Sequence, residues 1–289
     1  MIEALLYQHL CNCEDLTSLL ATYDERPAIF HQIAPFDTDE KWKGKMQFSR
    51  IVYDIDKTGD VERKISGNLY IDIMCSQGSI EPEAIETVLK DIIDGYFFED
   101  DDGMTYSAQW ERSDGFTVEK NNQVFGLTLS FSLLAFPLQN TGTFDTIGLM
   151  NTWSKTTFPQ ATIINISATQ KVFKPTDENP AIYWSSQGLT DSPVESIYHC
   201  TWVQSNLTMH IIAPSTAVRN SLVQQAHSIL SFKSRIMSED GTQFMLHRAV
   251  ANMTADPFRV GQLIVQGSYP LIRPETDVSK LRNITNTLR

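Results

Sequence analysis

The chain has 289 residues, of which 42% are hydrophobic and 20% are charged, a balance typical of a folded globular protein rather than a disordered or fibrous one. Its length suits two ordinary domains or one large one. Aspartate and glutamate number 35 against 23 lysine and arginine residues, a formal net charge of -12. This acidity argues against a dedicated nucleic-acid binder, which needs a basic surface.

The sequence predicts neither export through a signal peptide nor a membrane span. The first residues carry Glu3 and no lysine or arginine, unlike a signal peptide. The best apolar run, Phe125 to Leu138, is too short and too interrupted by hydroxyl residues to cross a bilayer. Cys11, Cys13, Cys75 and Cys200 are too few and too scattered for a disulfide scaffold, so we expect reduced thiols. We therefore expect a protein that is assembled in the cytoplasm.

Apolar periodicity and turn residues divide the first half of the chain into a regular series of elements. The first elements are a leucine-rich helix over Ile2–Thr22 with a break near Cys13, an extended Ala28-Ile29-Phe30 and a charged loop from Asp37 to Lys45. A hairpin of Phe48–Ile55 and Ile65–Cys75 follows and turns at Thr58-Gly59-Asp60. A helix capped by Ser79 and ended by Gly95 comes next, and strands at Met104–Trp110 and Val124–Phe136 complete the series.

The second half repeats this order in outline. Asn179-Pro180-Ala181-Ile182-Tyr183 resembles Arg26-Pro27-Ala28-Ile29-Phe30, and Tyr269-Pro270-Leu271 resembles Phe136-Pro137-Leu138. The predicted elements are a helix at Thr146–Trp153, strands at Ser196–Trp202 and Gln204–Ala213, a helix opened by Pro214-Ser215-Thr216-Ala217, and strands at Phe244–Val250 and Val260–Tyr269.

The predicted fold class is therefore α+β, with two tandem similar domains. Residues 1–140 form the first and residues 141–289 the second. Each is predicted to be a small mixed or antiparallel sheet packed with one or two helices.

The motifs that carry chemistry do not indicate a catalytic site, a metal site or a bound cofactor. Cys11-x-Cys13 has no second ligand pair at a zinc-like spacing, and the acidic run from Glu99 to Asp102 lacks the ligand spacing of a calcium loop. No serine lies in a Gly-x-Ser-x-Gly elbow, and no glycine-rich phosphate loop follows a predicted strand. We therefore expect a protein that is not an enzyme.

The charged loop around Trp42 has two interpretations. It is either a docking loop or a surface loop that carries one exposed aromatic side chain. Most other aromatic residues lie in or beside predicted strands, where they suit a core or a subunit interface.

The leucine-rich first helix, the Pro27-Ala28-Ile29-Phe30 segment, the charged loop, the hairpin, the helix Glu83–Asp94 and the last strand Gly126–Phe136 together resemble a known family. This arrangement is similar to the tail terminator, or tail completion, proteins of long-tailed bacteriophages. The resemblance is strongest over Met1–Leu138 and rests on the order of the elements. Typical members have one domain of roughly half this length, so the second copy is a departure from the family.

The resemblance implies a structural virion protein that forms a homo-oligomeric ring on the tail tube. Such a ring stops tube growth during virion assembly, offers a neck interface to the head-tail connector proteins, and lets DNA pass through its lumen without specific binding. With two domains per chain, three chains fill a six-position ring, or six chains form a ring with an extra layer. The predicted contacts with the tube protein and the neck are Asp37, Asp39, Glu40, Lys41, Trp42, Lys43, Lys45, Glu99, Asp100, Asp101 and Asp102.

Two alternatives remain open from the sequence. The chain is another structural component of the particle, such as a head-tail connector or baseplate protein, or it is a small-molecule hydrolase with dispersed His, Asp and Ser residues. A pocket with perturbed titratable groups would favour the hydrolase.

Overall fold

The computed structural model describes residues 2–43, 47–57, 65–101, 103–118, 123–139, 144–166, 171–197 and 200–272. The helices are α1 Ile2–Cys11, α2 Glu14–Thr17, α3 Pro82–Ile93, α4 Thr146–Thr157 and α5 Thr216–Phe232. The strands are β1 Thr22–Tyr23, β2 Arg26–Pro27, β3 Ile29–His31, β4 Arg50–Lys57, β5 Ile65–Ser76, β6 Phe97–Glu99, β7 Met104–Thr117, β8 Val124–Pro137, β9 Thr162–Ile163, β10 Val172–Phe173, β11 Ala181–Ile197, β12 Cys200–Ile212, β13 Arg235–Met237, β14 Gln243–Ala251 and β15 Leu263–Ile272. None of these helices is long and apolar enough to cross a membrane.

The mixed α and β character of the prediction is confirmed, and the chain divides into two compact units. The first unit comprises Met1–Leu138 and Thr162–Ala181, and the second comprises Gln139–Ala161 and Ile182–Arg289. The first segment therefore ends close to the predicted boundary at residue 140. The segment Thr162–Ala181, however, belongs to the first unit although the two-domain prediction counted it in the second half.

The first unit is built on a sheet whose strands occur in the order β10-β6-β7-β8-β5-β4-β3. Neighbouring strands are antiparallel except β3 and β4, which are parallel. The predicted hairpin of β4 and β5 is confirmed, and its turn at residues 58–60 lies outside the described residues. Leu69, Ile71 and Ile73 alternate along β5 and are buried, because side chains on one face of a strand recur every second residue.

Helix α3 covers that buried face. Ile85, Leu89 and Ile93 recur at helical spacing and are fully buried in the core of the first unit. The predicted cap at Ser79 is wrong. Its hydroxyl instead bonds the backbone N–H and C=O of Ser76, while Glu81 precedes Pro82 at the helix start. Proline is tolerated at this position because the first helical N–H groups have no intrahelical acceptor.

Within the second unit, strands of the second sheet lie in the order β13-β14-β15-β12-β11. The predicted start of α5 is confirmed, and the Ser215 side chain caps the helix by accepting a bond from the Val218 N–H. The indole of Trp184 on β11 donates to the Ser154 hydroxyl on α4 at 2.8 Å, and both residues are buried. The predicted helix at Thr146–Trp153 is thus present as α4 and packs through Trp184.

Two predicted features of the second half are wrong in detail. The prediction broke the strand pair at Val203, but Val203 lies within β12, which pairs with β15 along ten residues. The Ala181-Ile182 dipeptide begins the long strand β11, whereas Ala28-Ile29 leads into the short edge strand β3. The two similar motifs therefore do not lead into equivalent strands.

Helix α1 contacts helix α3 through the side chain of His9. The Nε2 of His9 lies 2.6 Å from the Ile92 carbonyl oxygen, and burial lowers the pKa of this histidine below its ordinary value. Unfolded chains therefore bind a proton at pH values where the folded His9 does not, and the proton favours unfolding. We expect the unfolding midpoint in urea to fall as the pH is lowered from 7.5 to 5.5. The fall should be smaller in His9→Gln, and an equal fall in both proteins would contradict this prediction.

Candidate assembly interface

The loop that contains Trp42 folds back on its own unit. Trp42 forms an isolated bridge with Tyr23, and their rings lie 4.9 Å apart in an edge-on arrangement. The indole N–H donates to the Phe36 carbonyl at 3.0 Å, and the Arg50 guanidinium lies 5.8 Å from the indole ring. Trp42 is only 5% exposed. The interpretation of Trp42 as an exposed aromatic is therefore wrong, because its ring is used to anchor the loop.

Three of the predicted contact residues hold the loop in this position. Asp37 forms an ion pair with Arg50 at 2.6 Å. Asp39 accepts bonds from the Tyr23 hydroxyl at 2.9 Å and from the Lys41 N–H at 3.0 Å. The Lys41 backbone bond, followed by the Tyr23 bond, lowers the pKa of the Asp39 carboxyl. Lys41 itself pairs with Asp24 at 3.3 Å, whereas Glu40 and Lys43 are exposed, and Lys45 lies outside the described residues.

The acidic turn between β6 and β7 also uses its carboxylates locally. The Asp100 carboxylate accepts a bond from the Met104 N–H at 2.9 Å, which closes the turn. Asp101 forms an ion pair with Lys171, which lowers the pKa of the Asp101 carboxyl. Glu99 is partly buried, and that burial raises the pKa of its carboxyl. Asp102 lies outside the described residues.

The two predicted contact loops are not brought together. One follows β3 and the other follows β6, and β4, β5, β8 and β7 lie between these two strands in the sheet. A partner that touched both loops would have to span the sheet. The residues therefore do not form one site.

The structure reveals an interaction that the sequence did not suggest. Strand β10, in the returning segment Thr162–Ala181, pairs with β6 and covers the outer edge of that strand. Phe173 stacks on Phe97 at 5.2 Å with the ring planes 14° apart, and the Glu99 N–H donates to the Lys171 carbonyl at 2.7 Å. The two-residue length of β10 explains why no periodic pattern indicated it.

The exposed large apolar side chains of the described residues include two pairs that lie close together in the sequence. In the first unit, Ile33 is 81% exposed and Phe36 is 86% exposed, both in the connection between β3 and β4. In the second unit, Phe232 at the end of α5 is 92% exposed and Met237 on β13 is 52% exposed. Groups of exposed large apolar side chains mark interaction surfaces more often than isolated ones do.

The second unit contains a cavity of about 150 Å³, and a hydrolase site would need such a cavity. Its lining includes Lys233, His247 and Arg248, and His247 Nε2 lies 2.7 Å from the Ser268 hydroxyl. Ser268, however, is 1% exposed, so its hydroxyl is not open to a substrate.

Among the described residues, no group of three or more His, Cys, Asp or Glu side chains is arranged to hold a metal ion.

Comparisons with protein-family models, with curated proteins and with solved structures gave no match for this chain.

Proposed function

We propose that this chain is a structural virion protein of the tail terminator type, which assembles into a ring on the bacteriophage tail tube, ends tube growth and forms the neck interface to the head. We further propose that the chain is a duplication of one α+β module and that it has no catalytic role. The observation that carries the proposal is the repeated architecture of the two units.

The order of the elements supports the duplication. The series β4, β5, α3, β6, β7, β8 of the first unit matches β11, β12, α5, β13, β14, β15 of the second. The strands also lie in the same spatial order, β6-β7-β8-β5-β4 in one and β13-β14-β15-β12-β11 in the other. Each helix follows the second strand of its series and precedes a strand of three residues.

The registers of the strands support it further. Glu99 pairs with Thr105 and Met237 pairs with Gln243, so the two hairpins have turns of equal length. Both turns hold a glycine with positive φ, Gly103 at 76° and Gly241 at 84°. The ladders then align Leu69, Ile71 and Ile73 of β5 with Leu207, Met209 and Ile211 of β12, and all six side chains are buried.

A duplicated module suits a closed assembly. Similar units that meet through one repeated heterologous contact form a ring when the rotations from each unit to the next add up to a full turn. Two units per chain then occupy two neighbouring positions, so three chains supply six positions and six chains supply twelve. The net charge of -12 suits a lumen through which DNA passes without sticking.

The experiment is to measure the solution mass of the purified chain by light scattering and to image the same sample by negative stain, with and without tail tubes of the particle. We expect a ring of three or six chains with a central hole, either free or at one end of each tube. A protein that stays monomeric or dimeric and leaves the tubes unbound would contradict the proposal. Rings that bind a baseplate or connector preparation, but not tubes, would assign the chain to another position in the particle.

A further inference from the structure

We propose that the outer edge of β13 binds the segment Ile33–Phe36 of a second copy of this chain, in a head-to-tail contact. This inference deepens the proposed function, because it names the contact that would join one chain of the ring to the next. The two surfaces are called below the acceptor edge, which comprises Phe232 and Arg235–Met237, and the donor segment, which is Ile33–Phe36.

The acceptor edge has backbone groups that point away from its own sheet. The Leu246 N–H donates to the Ser234 carbonyl at 3.0 Å, and the Ser238 N–H donates to the Thr242 carbonyl at 2.9 Å. Residues 234 and 238 therefore face β14. Because backbone groups alternate along an antiparallel strand, those of Arg235 and Met237 point outward. Within the described part of the chain, β13 is the last strand on this side of the sheet.

The first unit shows how such an edge is covered. The strand of the first unit that matches β13 is β6, since Glu99 and Met237 take equal positions in hairpins of equal turn length. Strand β10 pairs with the outer side of β6, and Phe173 covers Phe97, which is fully buried. The matching edge of the second unit instead leaves Met237 and Phe232 exposed. An uncovered edge of this kind is a template for a further strand.

A segment of the first unit occupies, in the order of the elements, the place that β10 occupies later in the chain. Strand β10 lies in the connection of residues 164–180, between β9 and β11. The corresponding connection of the first unit, residues 32–49 between β3 and β4, has nearly the same length. It presents the side chains of Ile33 and Phe36 to solvent, while the Phe36 carbonyl accepts bonds from the Trp42 indole N–H and the Asp39 N–H.

We assign the occupant to a second copy because, among the described residues, side chains of both surfaces are exposed. Phe36 is 86% exposed and Phe232 is 92% exposed, so an apolar side chain of the donor segment and one of the acceptor edge are open to solvent. A donor on one unit and an acceptor on the other give a heterologous contact, which continues from chain to chain until a ring closes. Addition of a strand to a sheet edge supplies backbone bonds, and the apolar side chains select the partner.

The test compares surface variants of the full chain by light scattering across a concentration series up to about 100 µM, the range in which such a contact is populated. We expect Met237→Lys, Phe232→Ser and Phe36→Lys each to weaken self-association at least tenfold and to give the 32.7 kDa monomer. The matched control is Val260→Lys. Val260 is 52% exposed, like Met237, but lies in the second unit outside the acceptor edge, so this variant should associate like the unmodified chain.

Mixing supplies the decisive result. Met237→Lys keeps its donor segment and Phe36→Lys keeps its acceptor edge, so an equal mixture of the two should form one contact per pair and stop at a dimer. Thermal unfolding midpoints within a few degrees of the unmodified chain would verify that the variants are folded, as expected for exposed positions.

Three results would overturn the inference. The first is an unmodified chain that is monomeric over the whole series, which still leaves the proposed function to its own assay on tail tubes. The second is rings that persist in Met237→Lys and Phe36→Lys, which would contradict this contact and leave the ring itself standing. The third is an equal loss of association in Val260→Lys, or a mixture of variants that grows beyond a dimer.

Discussion

Replacing Gly126 by alanine is expected to destabilise the first unit by about 3 kcal/mol, at the upper end of the usual cost of overpacking. Gly126 lies in β8 between Met74 of β5 and Phe116 of β7. A β-carbon at this position would overlap the Ile73 carbonyl oxygen and lie 2.8 Å from the Phe116 ring. Because the obstacle includes backbone on a central strand, the ladder itself must shift.

The measurement is amide hydrogen exchange by mass spectrometry, which reads peptides of the two units separately. Protection should fall in β5, β7 and β8 and stay unchanged in β12, β14 and β15. The matched control is Gly115→Ala on β7, where the added carbon would lie 4.0 Å from Leu127 Cδ2, an ordinary contact. Equal loss of protection in both units would show that they unfold as one cooperative block.

Removing the indole of Trp184 should cost the second unit about 3–5 kcal/mol, the usual range for a buried tryptophan changed to alanine. The ring is 1% exposed and contacts Trp153 of α4 at 6.3 Å between ring centroids. Its N–H also donates to the fully buried Ser154 hydroxyl. The change thus leaves a cavity and takes a donor away from a buried polar group.

Guanidinium unfolding of the full chain, followed by circular dichroism, measures this loss. Trp202→Ala serves as the comparison, because Trp202 is a partly exposed tryptophan on β12 of the same unit. Its loss should be less than half that of Trp184→Ala. Similar losses for the two variants would mean that the contact between α4 and β11 does not stabilise the second unit.

Long elements with a clear apolar period were predictable from the sequence. Helix α3 and strands β5 and β12 carry buried residues at regular spacing, and local physics and tertiary packing agree there. Short strands were not predictable, since β6, β10 and β13 have two or three residues and owe their conformation to a neighbouring strand. The β11 strand was also missed over most of its length because polar residues such as Ser185, Ser186 and Gln187 interrupt its apolar pattern.

The candidate contacts show the limit of interpreting charge from a sequence. A run of acids such as Glu99–Asp102 resembles a docking surface, but Asp100 closes a turn and Asp101 pairs with Lys171, which lies far away in the chain. The exposed apolar residues Ile33, Phe36 and Phe232 gave no signal, because exposure depends on packing and not on residue type.

The return of Thr162–Ala181 to the first unit sets the order in which a newly made chain can mature. Residues 1–138 emerge first, but the outer side of β6 gains its cover only when β10 has been synthesised. At about 5–20 residues per second, the nascent chain spends roughly 4–15 seconds with Phe97 and the neighbouring strand edge open to water. That interval is when another nascent copy on the same messenger could pair with the wrong edge. The Lys171–Asp101 ion pair and the stacking of Phe173 on Phe97 are contacts specific to the segment that carries β10. They favour the docking of this segment on β6 over such a mispairing.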